Sequence, residues 1–136
     1  MSQENVEIVM RALHAVAQRP RPDFDTINAL YHPDHVLVSV AANALGEGEA
    51  KGGQGFKAWL RAMEGTTPFE LTVDGAVDVG QDKVLATLGV HMRGASSGVE
   101  GDQRTWNVVT VVDGKITRTE SYNDSKAALE AVRLSE

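Results

Sequence analysis

Apolar residues recur at helical spacing near the N-terminus, where Val6, Val9, Met10, Leu13 and Val16 fall on one face. Ser2 is placed to cap this helix, and Glu4 and Glu7 suit its positive end. The run Arg19-Pro20-Arg21-Pro22 stops it. Asp23 caps a second, shorter helix with Phe24, Ile27, Leu30 and Tyr31 on its apolar face, ended by His32-Pro33. The valine-rich residues 35–40 read as a strand. A glycine-rich loop follows from residue 41 to about 55, and Phe56, Trp59, Leu60 and Met63 then make the stripe of a third amphipathic helix.

The period changes after Pro68. Phe69, Leu71 and Val73 alternate with polar residues, and residues 84–92 and 104–112 are long β-type runs joined by a Gly/Ser loop at 94–101. Asp113-Gly114 is a hairpin turn signal, with residues 116–122 as the returning strand. Asp124 or Ser125 then caps a last short helix carrying Ala128, Leu129 and Val132. Helices come first and strands later, which predicts an α+β fold with an antiparallel sheet, in one domain spanning residues 1–136.

Composition narrows the function. The 136 residues include no cysteine, which excludes disulfides, thiolate metal sites and cysteine nucleophiles. This fits a reducing cytoplasm, and the polar, acidic start MSQENVEIVM has no signal-peptide pattern. No apolar run approaches the ~20 residues that span a bilayer. With 13 basic against 19 acidic residues, the net charge of −6 repels a phosphate backbone, so neither nucleic acid nor membrane is an expected partner.

Several motifs match in letters and fail in context. Gly94-Ala95-Ser96-Ser97-Gly98 fits a nucleophile elbow, but that chemistry needs a strand-turn-helix on a large parallel sheet, and here the match joins two strands. The glycines at 46–55 complete no phosphate loop, and Glu47 and Glu49 would repel phosphate. His32 and His35 have H-x-x-H spacing, yet Pro33 breaks the helix that would align them on a metal, and no third ligand is near. His14 falls on the polar face of the first helix, and His91 in the polar register of its strand. No metal and no cofactor is expected.

The order of elements, with the strings SQENVEIV, LYHPD, SGVEGDQR, VVDGKI and SYNDSKAALEA, resembles the NTF2-like superfamily over the whole chain. In particular it resembles its small bacterial SnoaL-like members, related to polyketide cyclases and ketosteroid isomerases. The resemblance implies a curved antiparallel sheet wrapped around N-terminal helices to form a cone. Its concave face would carry Leu37 and Ser39, then Thr105, Asn107, Val109 and Val111, then Thr119, Ser121 and Asn123, with Trp59, Ala12 and Val16 completing the wall. The isomerases' base, tyrosine and second acid fall on Ser39, Ala12 and Thr105. The acid that cyclases and limonene-type epoxide hydrolases carry on the last strand falls on Ser121. Arg104 and Asp102 stand in reversed order for the hydrolases' Arg and Asp pair. The recognised catalytic acids are therefore expected to be absent.

A wall of hydroxyls and amides over an apolar floor suits a small neutral, oxygen-bearing organic ligand bound at Leu37, Ser39, Trp59, Thr105, Asn107, Val109, Thr119, Ser121 and Asn123. Two alternatives stay open. One is an isomerase, cyclase or lyase with His35 as acid/base, since His35 shares the register of Leu37 and Ser39. The other is a homodimerisation module with a vestigial pocket. The opposite register, Trp106, Val108 and Val112, leaves an apolar face that predicts a homodimer through the sheet.

Overall fold

The computed structural model of the protein describes residues 2–18, 22–39, 49–51, 69–93, 100–122 and 124–134. Two helices, α1 (Ser2–Ala17) and α2 (Phe24–Leu30), precede six strands. These are β1 (Tyr31–Ser39), β2 (Glu49–Lys51), β3 (Phe69–Gly80), β4 (Lys83–Arg93), β5 (Glu100–Val112) and β6 (Lys115–Tyr122), and helix α3 (Ser125–Leu134) closes the chain. The predicted helix with Phe56, Trp59, Leu60 and Met63 lies outside the described residues, as do the loop at 94–98 and Asn123. Among the described residues no helix is long and apolar enough to cross a membrane.

The strands form one curved, open sheet in the order β2-β1-β6-β5-β4-β3. All neighbours run antiparallel except β1 and β6, which run parallel. This corrects the expected all-antiparallel sheet. Hairpins force antiparallel pairing only on strands joined by short turns. β1 and β6 are distant in sequence, so no local signal carries their relative direction. A short strand, β2, also occupies part of the stretch expected to be loop, and the alternation at Phe69, Leu71 and Val73 opens a strand that runs to Gly80.

Local chemistry explains most boundaries. Asp23 accepts hydrogen bonds from the backbone N–H and the hydroxyl of Thr26, as an N-cap should. These bonds hold its carboxyl below the usual carboxylate range. Asp124 likewise accepts from the Lys126 N–H at the start of α3. The β5–β6 turn has Asp113 at φ 51° and Gly114 at φ 79°, the left-handed pair that a two-residue primed hairpin needs. α2 ends one residue earlier than its apolar face suggested. Tyr31 is already extended and starts β1, and Pro33 keeps the next residue, His32, out of helical geometry. The pairing of β1 with β6 is interrupted between Tyr31 and Val36, which gives Pro33, lacking an N–H, a place outside the ladder.

Alternation along the strands divides the sheet into two faces. One face packs under α1 and α2: Val9, Ala12, Leu13, Val16, Ile27 and Leu30 meet Val84, Ala86, Leu88, Val109, Val111 and Ile116. The other face takes α3, whose Ala128 and Val132 cover Val108, with Trp106, Tyr122 and Leu85 partly buried around them. Val108 is only 1% exposed within a single chain, whereas Val112 remains 45% exposed. The expectation that Val108 waits uncovered for a second copy is thus corrected: the chain's own last helix seals it.

Replacing Val108 with alanine should therefore cost about 1–3 kcal/mol of stability through a cavity under α3. Urea unfolding at two protein concentrations tenfold apart checks this. The loss should be the same at both, and a loss that appears only at the lower concentration would place Val108 in an interface instead.

Candidate functional site

The strand register sets a polar strip into the helix-facing side of the sheet. Leu37, Thr119, Val109 and Val84 lie side by side across β1, β6, β5 and β4. The next row is Ser39, Ser121, Asn107 and Ala86, and Thr105 follows opposite Leu88. Val109 and Val111 of β5 share one buried cluster with Leu37 of β1. Leu37, Asn107, Val109 and Thr119 are buried, Thr105 and Ser121 are half-buried, and Ala12 and Val16 of α1 are buried in the same cluster as Leu37 and Val109. Ser39 is placed by its backbone pairing with Ser121. Trp59 and Asn123 lie outside the described residues.

His35 turns inward on this face, as its shared register with Leu37 requires, and is 0% exposed. Its Nε2 lies 3.0 Å from Thr119 Oγ1, so one of the two groups donates to the other. The ring meets Tyr31 edge-to-face, with centroids 4.7 Å apart and planes at 74°. Burial away from water penalises the imidazolium and pushes the His35 pKa down to about 4. The ring is therefore neutral at pH 7 and acts there as a hydrogen-bonding group. Burial likewise pushes the Tyr31 phenol up, so it stays protonated. Sequence reasoning assigned Tyr31 to the second helix and missed it at this site. The signal available was Pro33, which forces extended backbone on His32 and so limits how far the helix can run.

Asn107 is 4% exposed, and its Nδ2 faces two acceptors. One is the Ala86 carbonyl oxygen at 3.4 Å, and the other is Thr105 Oγ1 at 3.2 Å. Among the described residues the buried polar side chains are His35, Asn107 and Thr119, and none of them carries a charge at neutral pH. Ionised groups would lose several kcal/mol of hydration here, whereas amides, hydroxyls and a neutral imidazole need only hydrogen bonds.

Other candidates fall elsewhere. Arg104 belongs to the α3-side register of β5 and pairs with Asp74 at 3.3 Å near solvent, so it does not reach the strip. Its strand neighbour on β4 is Gly89, where a Cβ would come within 2.5 Å of Thr72 Oγ1. His32 Nδ1 accepts from the Asp34 N–H outside the core, which separates it from His35. His14 is exposed on α1, and His91 pairs with Asp102 in the β4–β5 ladder. Among the described residues no three His, Asp or Glu side chains gather at metal-binding distance.

Comparison with known proteins agrees with the architecture. No curated protein matches the sequence. An LEH-like epoxide hydrolase of M. tuberculosis is 24% identical, with a TM-score of 0.70 over 96% of this chain and 86% of that one. TerC, co-crystallised with polyporic acid, is 22% identical, with a TM-score of 0.73 over 96% and 98%. A proposed SnoaL-like polyketide cyclase from Jannaschia sp. CCS1 is 18% identical, with a TM-score of 0.73 over 96% and 92%. At such identities the likeness establishes the NTF2-like fold and not an activity. The SnoaL-like domain family matches residues 9–119, which take in the second half of α1, α2, β1 to β5, the first part of β6 and the three buried polar side chains His35, Asn107 and Thr119. The chain belongs to the SnoaL-like domain family.

Proposed function

We propose that this protein binds a small, neutral, oxygen-bearing organic molecule against the helix-facing side of its sheet, and that it does so without the catalytic acids of related enzymes. One observation carries the reading: the buried polar groups there are all uncharged and are interleaved in register with Leu37, Val109 and Val84. An apolar wall with a few placed hydrogen-bonding groups is the usual make-up of a small-molecule site. The positions that the family resemblance assigns to catalytic acids hold Ser39, Thr105 and Ser121, whose hydroxyls do not ionise near neutral pH. TerC, which shares the fold, was co-crystallised with polyporic acid, and that precedent favours an organic ligand here.

The alternative of His35 as general acid or base is less well supported. A pKa near 4 leaves the ring deprotonated at pH 7 but makes it a weak base, well below the matched value that proton transfer favours. Hydrogen bonding to Thr119 uses the ring as a fixed partner within the wall. A homodimer through the outer face of the sheet belongs to the same proposal. The exposed Val77 and Val112 support it, at 57% and 45%.

Asn107→Leu tests the reading. Leucine of similar volume keeps the core filled while removing the polar group, so the fold should survive. A thermal-shift panel of small ketones, alcohols and lactones should stabilise the parent protein. Binding of the active members should weaken roughly 5- to 150-fold in the variant, since an unpaired buried polar partner costs about 1–3 kcal/mol. A panel that leaves the parent unmoved, with a marked loss of melting temperature in Asn107→Leu, would mean that the residue merely holds the core together.

The state of His35 makes a second prediction. In the unfolded chain its imidazole takes up a proton near pH 6.5, but in the folded protein only near pH 4. Acid therefore favours the unfolded chain between these values. This contribution to stability is complete above about pH 6.5 and declines by about 3 kcal/mol as pH falls toward 4. Urea unfolding across pH 4–7 should show that decline in the parent and a much flatter one in His35→Gln, which keeps a hydrogen-bonding amide beside Thr119. Parallel curves for the two proteins would show that His35 is not held neutral.

A further inference from the structure

We propose that the strip selects a ligand hydroxyl, on an alcohol, enol or phenol, over a ketone or ether oxygen, because Asn107 and Thr105 set an acceptor beside a donor; this rests on the reading of the strip as a binding site. The Asn107 amide has two N–H donors on nitrogen and a carbonyl oxygen that only accepts. A backbone carbonyl also only accepts, so the atom that Asn107 turns toward the Ala86 oxygen must be nitrogen. Flipping the amide would press two acceptors together, so Ala86 fixes its orientation.

The 3.4 Å and 3.2 Å contacts are long, but both engage the amide nitrogen. Asn107 is left with its carbonyl oxygen to offer. Thr105 Oγ1 accepts from that same amide, so its hydroxyl proton is left to donate. Two positions apart on β5, the residues are neighbours on one face, with Thr105 the more open to access.

A ligand hydroxyl satisfies both at once, donating to Asn107 Oδ1 and accepting from Thr105. A ketone or ether oxygen only accepts, so it can meet Thr105 but sets one lone pair against another at Asn107. Ser121 stands opposite Asn107 in the ladder. Its hydroxyl rotates to donate or accept, so it adds contact without discrimination. The choice therefore rests with Asn107, whose polarity the backbone fixes from β4.

Calorimetric titration of the full chain with two matched pairs tests this: cyclohexanol against cyclohexanone, and 2-naphthol against 2-methoxynaphthalene. Each hydroxyl member should bind roughly tenfold or more tightly than its partner, the scale set by one unpaired buried acceptor. The ether is the more apolar member of its pair, so a preference for the naphthol runs against simple hydrophobicity. Asn107→Leu should reduce or reverse the preference in both pairs. Equal or tighter binding of the ketone and ether by the parent would overturn the inference and leave the binding site standing. An undiminished preference in Asn107→Leu would overturn the assignment to Asn107. Binding by none of the four would sink both the inference and the reading beneath it.

Discussion

A polar side chain fully buried beneath α1 and α2 on the helix-facing side of the sheet needs a hydrogen-bond partner, because water does not reach it. Leaving one such group unpaired costs about 1–3 kcal/mol, a large share of the 5–15 kcal/mol that stabilises an ordinary domain. His35 meets the constraint at Nε2 through Thr119, and this requires β1 to lie directly beside β6. Asn107 meets it through Ala86 and Thr105, which requires β5 to hold its place against β4. The polar strip is therefore a product of strand register. A slip of one residue would turn these groups outward and carry Trp106, Val108 and Thr110 into the core.

The same constraint accounts for the absence of charge among the described buried groups. A desolvated imidazolium is unfavourable beside Tyr31 and Thr119, so the ring sheds its proton, and Tyr31 keeps its own for the same reason. The charged groups Arg104 and Asp74 sit near solvent on the other side, where pairing contributes little and costs little. Fold neighbours named as an epoxide hydrolase and a proposed polyketide cyclase show how widely this architecture is used. An activity depends on the side chains placed on the fold and not on the fold itself.

Much of this was legible in the sequence because strand alternation has a period of two and needs no knowledge of distant residues. Alternation along residues 104–112, with the family's register, placed Thr105, Asn107, Val109 and Val111 on one face and Trp106 and Val108 on the other. The caps at Asp23 and Asp124 and the Asp113-Gly114 turn were readable for the same reason, since each is decided within a few residues. The misses were non-local. The parallel β1–β6 pairing, the seal of α3 over Val108, and the hydrogen bond between His35 and Thr119 join residues far apart in the chain. Tyr31 was misread more locally. Its apolar spacing continued the helix, while the extended geometry that Pro33 imposes on His32 begins one residue earlier, at Tyr31. Nor could sequence reveal the polarity of Asn107, because it is the Ala86 backbone carbonyl that orients the amide.

The most direct test of the account is a crystal structure of the protein grown with 2-naphthol. The account predicts the naphthol oxygen about 2.7 Å from both Asn107 Oδ1 and Thr105 Oγ1, with the rings against Leu37 and Val109. A naphthol seated elsewhere, or an Asn107 amide turned so that its oxygen faces Ala86, would contradict it.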